Sequence, residues 1–270
     1  MNDWSASPQA STSAPTNAWA PDADAVVSAP APPMPPARRQ PPLARSVAEL
    51  ILCSGYPTQL LVAYALLVLG LPAQEASGDL SLAYIVWLSL ADAALLLGLI
   101  FLFLFVDGES PRRVLLGSRP VSREVFIGVL LLPLALVIVG VTAFVIQRFA
   151  PDLHLNVNPF QTFFTSRANA AIFAVVALVV GGLREEIQRG FILHRCDTLG
   201  SATAGLVIFS ILFGLGHVLQ GWDAAIITGG LGAFWGIIYL RRRSVIAPAV
   251  CHGLFNLLQV LVIGQALSQS

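Results

Sequence analysis

The sequence predicts an all-α protein, a multi-pass transmembrane helix bundle of about seven spans behind a disordered N-terminal tail. Three observations carry that expectation. Of the 270 residues, 56% are hydrophobic and only 11% are charged. A soluble domain has roughly 25% charged residues, so this chain could not cover a globular surface with polar groups. Mean hydropathy is +0.76, and from Ser46 onward apolar runs recur that are long enough to cross a hydrocarbon core of about 30 Å.

Residues 1–45 read as a disordered cytoplasmic tail rich in Pro, Ala and Ser, as in the stretch from Ser28 to Ala37. Proline breaks helix there and too few apolar residues recur to build a core. No apolar stretch of signal-peptide type lies near the start. A PxxP ligand for a partner domain is the weaker reading. Residues 46–122 hold two spans, 46–71 and 80–106, and a cytoplasmic loop; Gly55 and Pro57 interrupt the first span. Residues 123–270 form the core, with spans at 123–148, 168–194, 201–218, 223–240 and 245–266. Spans 201–218 and 223–240 are short enough for one to be tilted or re-entrant. Strand-like alternation and internal repeats are not evident.

Fifteen basic residues balance fifteen acidic ones, which leaves no basic stripe for nucleic acid. Every basic residue is arginine, a usage that suggests a GC-rich bacterial genome. Eleven arginines (38, 39, 45, 112, 113, 119, 123, 195, 241, 242 and 243) fall on one side of the seven-span arrangement, against Arg148 and Arg167 on the other. The positive-inside rule then puts the N-terminus in the cytoplasm of a plasma or inner membrane and the C-terminus outside. Cys53, Cys196 and Cys251 are scattered through apolar segments, without disulfide or metal spacing, and read as packing residues.

Charge inside a bilayer costs about 2.5–3.5 kcal/mol per residue on insertion scales, so polar residues within spans carry the information. The strongest group is Arg184-Glu185-Glu186-Ile187-Gln188-Arg189, toward the expected cytoplasmic end of its span, with apolar sequence on both sides. On a helix Glu185 and Glu186 lie four and three residues from Arg189, so either can pair with it. Adjacent carboxylates diverge by about 100°, so one can hold the arginine while the other faces a cavity as a general base. His217 follows Phe213 by four residues at the end of one apolar helix, and His252 precedes Asn256 by four in the last. Taken singly, each histidine reads as an interhelical hydrogen-bond partner. Together with a glutamate, they can hold one divalent metal or polarise one water. Glycines at 181, 182, 214, 216 and 253 would let these helices approach closely. Asp92 is isolated, and His154 and His194 fall in a loop and at a helix end, where a structural role is expected.

In order and spacing these residues resemble the CPBP intramembrane metalloproteases, also called the type II CAAX prenyl protease or Abi family. That family carries Glu-Glu-x-x-x-Arg, Phe-x-x-x-His and His-x-x-x-Asn on successive membrane helices. Phe213 to His217 and His252 to Asn256 match the second and third motifs, and Arg189-Gly190-Phe191 resembles the close of the first. The first motif departs from the pattern, with two residues rather than three between the glutamate pair and Arg189. The resemblance implies an endopeptidase in which a glutamate, Glu185 ahead of Glu186, deprotonates a water held by His217, His252 and Asn256. A divalent metal, zinc in expectation, would sit on His217 and His252. It also implies a peptide or protein substrate at the membrane, lipidated or membrane-associated, and a pocket reachable from the cytosol. The alternatives are a transporter or ion relay using the buried Glu, Arg and His groups, and a catalytically inactive scaffold.

Overall fold

A computed structural model describes residues 42–155 and 159–269. The expected disordered tail lies almost wholly outside the described residues; its last three residues, Leu43 to Arg45, instead begin helix α1 (Leu43–Leu52). Pro41-Pro42 end the irregular sequence, and the helix starts at once. Its apolar Leu43, Val47 and Ile51 point outward while Ser46 and Glu49 are buried, the reverse of a soluble helix.

A turn at Gly55, with φ +93°, leads into α2 (Tyr56–Val68) at a 46° bend. A side chain there would also meet the Gln188 amide at 2.9 Å. Next come α3 (Leu82–Val106), capped by Ser81, and a short π-helical turn at Arg112–Leu116. The 29-residue α4 (Val121–Phe149) contains Pro133. Helical backbone then runs unbroken from Arg167 to Thr198, as α5 (Arg167–Val176), a π-helical stretch (Ala177–Arg184) and α6 (Glu185–Thr198). Helices α7 (Ala202–Leu215), α8 (Trp222–Arg242) and α9 (Ile246–Gln269) complete the bundle. Among the described residues the only β pairing is one isolated bridge, Gln74 with Leu80.

The all-α membrane class stands, whereas the count of seven spans needs correction. Helices α3, α4, α8 and α9 are each long and apolar enough to cross a membrane, and the bent pair α1–α2 makes a fifth candidate. With 14 residues, α7 reaches only about 21 Å at 1.5 Å per residue, short of the bilayer core. The π-helical stretch divides the run from Arg167 to Thr198, which places the Glu185–Arg189 group in mid-run rather than near its end.

Helices meet where side chains are smallest. Gly182 lies so close to Gly253 that a β-carbon on it would come within 2.8 Å of the Gly253 backbone, which clamps the π-helical stretch against α9. One buried cluster joins α3, α6, α7 and α8 through Leu96, Ile100, Leu104, Phe191, Leu193, Phe209 and Tyr239. A second, around Leu231, Trp235, Cys251 and Phe255, packs α8 against α9 and α4.

At one end of the bundle the helices are tied by ion pairs. Arg195 binds Glu49 at 2.7 Å, Asp107 at 2.6 Å and also Glu109, while Arg45 reaches Glu49 and Asp107. Arg242 grips the fully buried Glu124 through two hydrogen bonds of 2.7 and 2.6 Å. Arg243 pairs with Asp197 at 2.8 Å. Burial alone would raise the Glu109 carboxyl, but hydrogen bonds and charge from His194 and Arg195 outweigh it and hold the group at about 2.

Candidate active site

The π-helical stretch is the local feature that builds the site. One extra residue per turn widens the helix just before Glu185, a device common at functional positions. Asn256 donates from Nδ2 to the Ala177 carbonyl at 3.1 Å, at the start of that stretch. Gly181 leaves the room for it, since a β-carbon there would collide with the amide.

Past the stretch the two glutamates splay as adjacent helical residues must. Glu186 is buried and pairs with Arg189. Its Oε1 also accepts from His252 Nδ1 at 2.8 Å. Glu185 points the other way, half-buried, with Oε2 3.8 Å from His252 Nε2. His252 therefore stands between the two carboxylates. Its ring stacks on Trp235 at 3.7 Å and 15°, with Phe213 edge-on at 6.4 Å, so its plane is fixed. The Arg189 guanidinium lies among Phe209, Phe213 and Trp235, 4.6 to 5.9 Å from the ring centres.

His217 sits where α7 ends. Its Nδ1 lies 3.0 Å from the Phe213 carbonyl. A carbonyl only accepts, so Nδ1 carries the proton and Nε2 presents a lone pair. The same logic applies to His252, whose Nδ1 donates to Glu186 and whose Nε2 faces Glu185.

Two cavities meet at these residues. One, of about 250 Å³, is lined by Gln59, Asp92, Arg184, Glu185, Gln188 and His217 among others. The second, of about 450 Å³, brings Glu185, His217, His252 and Asn256 together with Trp235 and a ring of phenylalanines. Glu185 and His217 belong to both walls. Glu186 and Arg189 reach neither and act from behind the site.

Asp92, isolated in the sequence, pairs with Arg184, whose Nη1 also donates to Gln188 at 3.0 Å; Gln188 in turn donates to the Cys53 carbonyl at 2.8 Å. This chain ties α3 and the α1–α2 turn to the π-helical stretch and α6. A lone carboxylate in an apolar helix demands a cation, and that demand was the available signal. Trp235 carried no such signal. Among the described residues no three His, Cys, Asp or Glu side chains form a group that could hold a metal ion. The histidines and glutamates thus do not make the three-ligand set of a catalytic zinc site in this arrangement.

Residues 167–258 match a family model described as type II CAAX prenyl endopeptidase, Rce1-like. The match supports the CPBP and CAAX protease resemblance read from the motifs. It covers about a third of the chain and includes every candidate site residue, while α1 to α4 lie outside it. No curated protein and no solved structure matches the chain.

Proposed function

We propose that the protein is an intramembrane endopeptidase hydrolysing a peptide bond of a membrane-associated or lipidated polypeptide. On this reading it lies in the plasma or inner membrane with its N-terminus cytoplasmic, an orientation that the clustering of arginines at one end of the bundle supports. The observation that carries the activity is His252 held by Glu186 at 2.8 Å and facing Glu185 at 3.8 Å, in the wall of a cavity shared with His217 and Asn256.

In this reading Glu185 is the general base. A water in the cavity donates one hydrogen to Glu185 and the other to an Nε2 lone pair of His217 or His252. Glu185 takes the proton as the oxygen attacks the scissile carbonyl carbon. Asn256 has one N–H on Ala177 and a second free to meet the oxyanion. The proton then passes from Glu185 to the leaving nitrogen as the C–N bond breaks, giving a carboxylic acid and an amine, which the acid's remaining proton converts to a carboxylate and an ammonium group. Glu186, Arg189 and Trp235 hold the His252 ring in place and touch no reacting atom.

The divalent metal expected on His217 and His252 lacks a third ligand here, so no step is assigned to it. Incubating the purified protein with prenylated and unmodified peptides and reading fragments by mass spectrometry tests the proposal. Cleavage by the native chain that is lost in a folded Glu185→Gln variant supports it; equal cleavage by both sinks it.

A further inference from the structure

The two ends of the bundle differ in a way the motifs do not disclose. One end is defined by the pairs Arg195 with Asp107, Arg242 with Glu124 and Arg243 with Asp197. At the other, His154 Nδ1 after α4 meets Asp223 in the first turn of α8 at 2.6 Å.

Both cavities extend to the second end. The larger includes His154, Gln161, Gln220 and Asp223 at that end, and the smaller includes Phe160 and Gln220. Neither is lined by any residue from 107–120, 195–201 or 243–251. The lining residues of α8 and α9 nearest the arginine-rich end are Trp235 and His252, seven residues before Arg242 and six after Ile246. At 1.5 Å per residue they stop about 10 Å short of it. That gap is filled by buried Leu104, Val114, Leu115, Leu193, Tyr239 and Val245, a dry plug between the glutamates and the arginines.

Arginine-rich ends face the cytoplasm. We infer that the site opens away from the cytoplasm and takes peptide segments of exported or membrane-anchored proteins from the extracytoplasmic half of the bilayer. The expectation of a pocket reachable from the cytosol is thereby reversed. The inference rests on the endopeptidase reading for its substrate, though not for its geometry. Phenylalanines 160, 164, 173 and 255 in the larger cavity suit apolar residues beside the scissile bond.

The test uses the full chain in sealed membrane vesicles of known orientation. All three native cysteines are buried, so single cysteines at exposed Gln161 and exposed Ser118 report the two ends. A membrane-impermeant maleimide should label Gln161→Cys in right-side-out vesicles and Ser118→Cys only in inverted ones. Peptide added outside should be cleaved by right-side-out vesicles and spared by inverted ones. Labelling of both cysteines from one face, or of Gln161→Cys from the cytoplasmic face alone, overturns the inference. Opposed labelling in the expected sense without cleavage in either orientation would leave the geometry standing and refute the endopeptidase reading instead.

Discussion

Replacing Glu186 separates scaffold from chemistry. Glu186 and Arg189 are each 1% exposed, and the guanidinium keeps two nitrogens without a partner beyond the aromatic rings around it. Glu186→Gln removes the compensating charge and leaves a buried cation, which costs about 3–5 kcal/mol. Cation–π contacts of about 0.5–2 kcal/mol each are already present in the native protein, so they do not offset that loss. At about 2–4 °C per kcal/mol the melting temperature in detergent should fall by roughly 6–20 °C. The double variant Glu186→Gln/Arg189→Met should be milder than the single, because the orphaned charge goes too. Glu185→Gln should move melting by no more than about 4 °C, since its ion contact is at 3.8 Å. Its cleavage rate should fall by about 10²–10⁴-fold, the usual worth of a positioned base. Equal destabilisation by Glu185→Gln and Glu186→Gln, or a double variant no milder than the single, would refute this division of roles.

Three further outcomes are expected. Asp92→Asn should destabilise by about 3–5 kcal/mol and the double Asp92→Asn/Arg184→Met by less, read as a denaturation cycle. The Glu109 carboxyl is held at about 2 against an ordinary 4.5. Its contribution is therefore complete above pH 4.5 and lost as pH falls toward 2, so acid should lower native melting more than that of Glu109→Gln. Cleavage should survive dialysis against a chelator, because among the described residues no three His, Cys, Asp or Glu side chains are grouped to hold a metal; complete loss restored by zinc would instead place the expected ion on His217 and His252.

Much of the site was legible because the bilayer makes polar residues conspicuous. The divergence of Glu185 and Glu186 follows from helix geometry alone, and the structure shows it, one on Arg189 and the other in the cavity. Which glutamate holds Arg189 was not legible, since both lie within pairing reach on a helix; the structure pairs it with Glu186, three residues away. The bounds of the spans were largely legible, each helix or helical run falling within a few residues of its expectation; the breaks inside them were not. A π-helical stretch leaves no mark on apolar periodicity, and α1 hides its helix by burying Ser46 and Glu49 while exposing its apolar residues. Neither was the ion-pair set of Arg45, Glu49, Asp107, Glu109, His194 and Arg195, whose members lie as many as 150 positions apart. His194 and His154, read as structural, each meet a carboxylate across the fold, though their partners were not legible. The direction in which the cavities open depends on which end the core fills, and no short motif encodes that.

The most direct measurement compares peptide hydrolysis by the native chain and by His217→Ala in the same lipid vesicles, after both are shown to fold by melting temperature. Among the described residues His217 bonds the Phe213 carbonyl and packs edge-on against the Phe213 ring, both at its own helix end, so its loss should spare the fold and remove one of the two groups that orient the water. The account predicts cleavage reduced at least about 100-fold with melting unchanged. Cleavage at the native rate by a folded His217→Ala protein would contradict it.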